Sequence, residues 1–181
     1  DRRSSFEVTF GSRHVDGPID FRWSGRLVGD MDGTIEMSMD GVASSGFASN
    51  RIGICVLHPM AQAGTPLEID TPAGTSHGSF PDRISADDPF TDITVMRFPV
   101  APSSRAVLAF TGDLFEMEDQ RNWTDASFKT FSPPHRFPIP VAIEPGTRIT
   151  RSVTFRLERD PTIPRSSMSK ASTPHEDLVE I

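Results

Sequence analysis

TIEMSMDGVA, residues 34–43, sets Ile35, Met37 and Met39 in strict alternation with Glu36, Ser38 and Asp40. Side chains of a strand point to opposite faces at every step, so this stretch predicts a half-buried strand with one apolar face. Asp32-Gly33 before it and Asp40-Gly41 near its end supply turn or bulge geometry, because glycine reaches positive φ without penalty. Similar segments recur along the chain. PLEID (66–70) and DITVMRF (92–98) read as half-buried strands, and RITRSVTFRLE (148–158) closes the series with Ile149, Val153, Phe155 and Leu157 facing inward.

RIGICVL (51–57) is apolar on both parities and predicts a central strand covered on both faces, with Cys55 a buried thiol. RAVLAFTGDLFEMED (105–119) is long for one strand, and Gly112-Asp113 marks a bulge or bend within it. Helical periodicity is missing throughout. TDASFKT (124–130) alone has an N-cap and the length for one helical turn. The expected architecture is an all-β, antiparallel β-sandwich over residues 1–159, followed by an irregular Pro/Ser-rich linker or tail at 160–181.

Composition narrows the function classes. A chain of 181 residues accommodates one domain plus tails, and 16 prolines with 36% hydrophobic content describe a turn-rich globular protein. No apolar run is long enough for a membrane helix. A net charge of -7 argues against a nucleic-acid partner, which needs a clustered positive surface. Cys55 is the single cysteine, so no intrachain disulfide framework exists and a reducing cytoplasm is the expected compartment. The sequence begins DRRSS, without methionine, and reads as a piece of a longer product.

Two motif matches lose to their context. GTSHG (74–78) fits the G-x-S-x-G pattern, but no amphipathic helix follows it, and a turn is the better reading. Asn122-Trp123-Thr124 satisfies the glycosylation sequon in a chain with no other secretory character. The five histidines are too dispersed for a local zinc spacing, so neither metal nor other cofactor is expected. His58 ends the RIGICVL strand beside Pro59. It is read as a partly buried, hydrogen-bonded histidine, with a place at the rim of a site as the alternative.

FEMEDQRNWTDASFK (115–129) carries the densest chemistry. On a strand, Glu116 and Glu118 share one face with α-carbons about 7 Å apart, an arrangement used by acid and base pairs. Arg121 and Lys129 can offset that repulsion, Trp123 offers a flat face for a sugar ring, and Asn122 and Asp125 offer hydrogen bonds to hydroxyls. The bland alternative is a solvated acidic face, with Trp123 packed on the sheet and Arg121 paired to Glu118 or Asp119.

Three segments together, FRWSGRLVGDMDGTIEMSMDG (21–41), NRIGICVLHP (50–59) and FEMEDQRNWTDASFKTF (115–131), resemble the amino-terminal β-domain of the D-apionate lactonase family. The resemblance spans most of residues 5–158 and is carried above all by EDQRNWTDASFK. It implies a bacterial sugar-acid enzyme that hydrolyses D-apionolactone to D-apionate in apiose catabolism, with a TIM-barrel domain after the β-domain. On that reading the isolated domain is an accessory unit without a complete catalytic apparatus. By motif position Glu118, Asp119, Arg121, Asn122, Trp123 and Lys129 serve a site or the surface docking on the barrel. Glu116, Glu118 and Arg121 are the candidates for chemistry. His58, Asp119, Asn122, Trp123, Asp125 and Lys129 are those for binding a sugar lactone, a sugar acid or the barrel. The alternative is a stand-alone carbohydrate-binding or structural sandwich.

Overall fold

The computed structural model describes residues 4–159, so the expected tail at 160–181 lies outside the described residues. In chain order the strands are β1 (Phe6–Asp16), β2 (Ile19–Gly29), β3 (Ile35–Ala43), β4 (Phe47–Ser49), β5 (Cys55–Pro59), β6 (Pro66–Thr71) and β7 (Gly74–Ser79). They continue as β8 (Phe90–Ile93), β9 (Val95–Ala101), β10 (Ser104–Thr111), β11 (Phe115–Asp119), β12 (Ser127–Phe131), β13 (Val141–Ile143) and β14 (Arg148–Arg159). An eight-stranded sheet runs β1-β2-β3-β14-β10-β9-β6-β7, a four-stranded sheet runs β5-β12-β11-β8, and β13 pairs with β4. Each pairing is antiparallel, which makes the molecule the all-β sandwich that the alternating segments predict.

The core lies between the large and the four-stranded sheets. Leu67, Ile69, Met96, Phe98 and Leu108 from the large sheet meet Phe115, Met117 and Phe128 from the small one, all buried. Phe80 is fully enclosed and stands edge-on to Phe98 at a centroid distance of 5.3 Å. Burying side chains of this size stabilises by about 1.5–3 kcal/mol each.

Gly112 turns the chain from one sheet into the other. The long RAVLAFTGDLFEMED segment is not one bent strand but two, β10 in the large sheet and β11 in the small one. Gly112 has φ 90°, and a Cβ there would collide with the Thr150 carbonyl, so no other residue fits without displacing β14. Phe110 and Phe115 stack across this corner with centroids 4.3 Å apart.

Several local expectations change. RIGICVL is not a doubly covered central strand: β5 is an edge strand, Cys55 is exposed and Leu57 is 62% exposed. The physical reason is register. Cys55 and Leu57 oppose Phe131 and Lys129 on the face of the small sheet turned away from the core. Leu157 is likewise exposed, lying near the outer end of β14. TDASFKT forms no helical turn; Ser127–Phe131 is a strand, and the short 3-10 turn is Gln120–Trp123. Asp40-Gly41 sits inside β3 without a turn, and Gly41 is bare because the Phe21 ring lies over it.

The β1–β2 hairpin uses the same device twice. Phe6 opposes Gly29 and Phe10 opposes Gly25, and in both pairs the ring occupies the space a Cβ would take. Phe10 also meets Trp23 edge-on at 5.4 Å.

His58 points inward from β5 and is 2% exposed, between Phe80 and Phe98, with Nε2 2.8 Å from Thr130 Oγ1. Burial lowers its pKa to about 4. Because the folded pKa lies below the ordinary value of 6.5, the stability present above pH 6.5 is lost as the pH falls through about 4. The loss amounts to on the order of 2–3 kcal/mol. Urea unfolding at pH 7 and pH 4 should show that much less acid sensitivity in His58→Gln than in the unaltered protein; equal sensitivity would disprove the assignment.

Candidate functional site

The inner face of the small sheet builds the core, and its outer face builds the site. On β11, Phe115, Met117 and Asp119 point inward while Glu116 and Glu118 point outward, as strand parity requires. Lys129 is the cross-strand partner of Glu118 on β12, and its Nζ lies 2.8 Å from Glu118 Oε2. The same carboxylate accepts a 2.9 Å hydrogen bond from Trp123 Nε1. Burial pushes the Glu118 pKa up, but the hydrogen bonds from Lys129 and Trp123 outweigh burial and leave it below the ordinary value.

Asp119 is the anchor of the region. Its side chain is 0% exposed and grips Arg121 in a fork, with Nε to Oδ1 at 2.8 Å and Nη2 to Oδ2 at 2.7 Å. Backbone N–H groups of Ser85 and Arg121 donate to the same carboxylate, at 2.9 and 3.1 Å. Burial raises the Asp119 pKa, but these bonds prevail and hold it low. The guanidinium also donates to the carbonyls of Pro81, Asp82 and Arg83 and lies over the Phe128 ring at 4.8 Å. Arg121 is therefore committed to holding the 81–85 loop against the sheet and is not among the residues lining the cleft described next. Asn122 Nδ2 donates to the Ser85 carbonyl and fastens the same loop.

A polar cleft of about 400 Å³ opens beside this anchor, lined by Asp87, Asp88, Glu118, Asn122, Trp123 and His135 among others. Trp123 is 71% exposed at the end of the Gln120–Trp123 turn. It does not pack on the sheet; its indole is oriented by the Glu118 bond. Glu116, 1% exposed, lies behind the cleft, where the His135 backbone N–H donates to its Oε1. His135 Nδ1 is 3.1 Å from Glu116 Oε1 and 3.5 Å from Asp88 Oδ2. Burial and then the neighbouring Asp88 charge raise the Glu116 pKa to about 7, while burial and Glu118 raise that of Asp88.

Of the residues singled out by sequence, Glu118, Asn122 and Trp123 line the cleft, Asp119 contributes to its wall, and Lys129 braces it through Glu118. His58 faces the core on the opposite side of the sheet, and Asp125 is exposed and does not line the cleft. Asp88 and His135 escaped sequence reasoning because they come from loops, one before β8 and one after β12. Their only trace is local: an acidic pair before Pro89 and a histidine after Pro133-Pro134.

A larger cavity of about 740 Å³ lies elsewhere, lined by Phe21, Trp23, Met37, Met39, Cys55 and other mostly apolar groups. His14 Nε2 there accepts from Trp23 Nε1 at 3.0 Å. Size favours this cavity, but the titratable groups converge on the smaller cleft. No helix among the described residues is long and apolar enough to cross a membrane.

Comparison with known proteins shows the family and the fold. The family "D-apionate lactonase, N-terminal domain" matches residues 1–160, and the chain belongs to that family. A D-apionate lactonase from Brucella anthropi is 40% identical over 112 residues, covering 60% of this chain and 18% of the relative. The match thus spans under a fifth of that relative's length. Among solved structures, a galactose 1-epimerase from Lactobacillus acidophilus NCFM aligns with a TM-score of 0.55 at 11% identity, over 86% of this chain and 63% of that one. A GalM/aldose epimerase homologue from C. elegans aligns with a TM-score of 0.55 at 9% identity, over 84% and 66%. This chain accordingly spans about two thirds of either structure, and at such identities the likeness is one of fold.

Removing Arg121 leaves Asp119 charged and enclosed, a change that costs about 3–5 kcal/mol when a buried pair is broken. Arg121→Ala should lose stability on that scale in urea unfolding. A loss below about 1 kcal/mol would place the pair among weak surface bridges.

Proposed function

We propose that this domain is the accessory amino-terminal unit of a sugar-acid lactone hydrolase, of the kind that converts D-apionolactone to D-apionate. The outer face of its small sheet supplies one wall of a substrate site or interdomain surface completed by a following catalytic barrel. The observation that carries this reading is the exposure of Leu57 (62%) and Trp123 (71%) on and beside the face that holds the polar cleft. Large apolar side chains flanking convergent polar groups are what a ligand or a partner domain covers.

The chemistry of the cleft suits a neutral, hydroxyl-bearing lactone better than the corresponding acid, because carboxylates line it. Trp123 offers an apolar ring face, while Asp87, Asp88 and Glu118 accept hydrogen bonds from hydroxyls. The lactone carbonyl needs an attacking water and an oxyanion partner. Lys129 is the cation nearest Glu118, and Arg121 is already committed to Asp119 and the loop carbonyls. The wall therefore binds and orients, and the barrel is expected to complete the chemistry. The sugar epimerases sharing the sandwich add fold-level analogy alone.

The test uses the complete lactonase polypeptide. Trp123→Ala should raise KM roughly tenfold, the equivalent of about 1.4 kcal/mol of lost binding. Leu57→Glu should lower turnover through poor seating of the barrel, with folding intact by circular dichroism. Unchanged kinetics in both variants would remove this face from the enzyme's function. Lactone binding by the 181-residue chain alone, measured by calorimetry, would favour the stand-alone binding module instead.

A further inference from the structure

We propose that Asp88, Glu116 and His135 form a site for one divalent transition-metal ion of the zinc or manganese class, at the floor of the Trp123 cleft. Each residue offers one ligand atom, a carboxylate oxygen from Asp88 and from Glu116 and a ring nitrogen from His135, and these atoms lie within 4.8 Å of one another.

The spacing fits an ion. Metal bonds of about 2.0–2.2 Å to nitrogen and oxygen set neighbouring donors about 3.0–3.5 Å apart in tetrahedral or octahedral arrangements. His135 Nδ1 already stands 3.1 Å from Glu116 Oε1 and 3.5 Å from Asp88 Oδ2. Asp88, half-buried on its loop, is the ligand free to close the remaining edge. With both carboxylates deprotonated, as binding of an ion requires, and the imidazole neutral, the set carries two negative charges, which match a divalent cation. One nitrogen with two oxygens favours a transition-metal ion over calcium or magnesium, whose ligands are oxygens; the imidazole suits zinc and the two carboxylates suit manganese.

The charge balance points the same way. Glu116 is 1% exposed, yet neither it nor Asp88 has an arginine or lysine ion-pair partner among the described residues; each pairs with His135 alone. The two carboxylates that follow Glu116 on β11 each have such a cation: Glu118 holds Lys129 and Asp119 holds Arg121. Arg51 and Arg136 act on Glu116, and Arg51 and Lys129 on Asp88, only from beyond ion-pair distance, and an ion between the carboxylates would complete that compensation. The ligands are also held from behind. The His135 backbone N–H donates to Glu116 Oε1, and the His135 ring meets Phe131 edge-on at 4.8 Å, which fixes both donors as second contacts do around metal centres.

The three ligands leave positions open toward the cleft, where Asp88 and His135 are exposed to an incoming oxygen. There the ion would polarise a lactone carbonyl or hold a sugar-acid carboxylate. That use rests on the cleft being the substrate wall; binding of the ion does not.

Equilibrium dialysis and calorimetry of the EDTA-treated chain with zinc chloride and with manganese chloride test the site. One equivalent should bind, with a higher melting temperature when loaded. His135→Gln and Asp88→Asn should each weaken binding roughly tenfold or more while keeping the far-ultraviolet spectrum, and Met31→Ala, in the exposed turn between β2 and β3, should bind as the unaltered chain does. No bound ion in the intact chain, or undiminished binding in both ligand variants, overturns the site. Stoichiometric binding whose removal leaves lactone turnover by the complete enzyme unchanged supports the site and overturns only its use on substrate.

Discussion

Asp119 keeps a charged carboxylate at a fully enclosed position, and that is possible only because four donors from two separate stretches of chain converge on it. The carboxylate ends β11, caps the turn that carries Trp123, and reaches across to Ser85. Arg121 extends the hold to three successive carbonyls of the preceding loop. This knot, with the Asn122 bond to Ser85 and the pairing of β8 with β11, fixes the loop leading to Asp87 and Asp88 relative to Glu118 and Trp123. The cleft exists because a single buried charge demanded partners and found them on the elements that form its walls.

The small sheet divides its labour by parity. Its inward residues, Met117, Phe128, Thr130 and His58, are closed against the large sheet, and even Thr130 finds a soft partner in Met96 Sδ at 3.4 Å. Its outward residues carry carboxylates, Lys129 and the exposed apolar groups of β5. Glu116 crosses this division: it faces outward but is buried, because the loop after β12 folds back over it and brings His135.

The fold was legible where one face of a strand is apolar and the other is not. Ile35, Met37 and Met39, Leu67 and Ile69, and Met96 and Phe98 all announce their strands, and buried ends of these series lie in the core. RIGICVL misled because an apolar run on both parities does not say which face finds cover: β5 lies at the edge of the small sheet, and Cys55 and Leu57 face outward uncovered. The split of the Gly112 segment between two sheets was half legible, since the glycine signals a break but not where the chain goes next. Of the cleft, the contiguous part from Glu118 to Trp123 could be read directly, whereas Asp88 and His135 arrive by loop closure, which leaves no periodic signal.

The Phe6–Gly29 and Phe10–Gly25 pairs settle a matter that the core cannot. β1 is exposed almost throughout, so no buried face dictates which of its residues should sit opposite which on β2. The two rings are four residues apart and so are the two bare backbone positions. A slip of one or two residues would set both rings against side chains, and a slip of four would seat only one ring on a glycine of β2. The hairpin is thereby indexed like a vernier scale, with a single alignment at which both marks coincide.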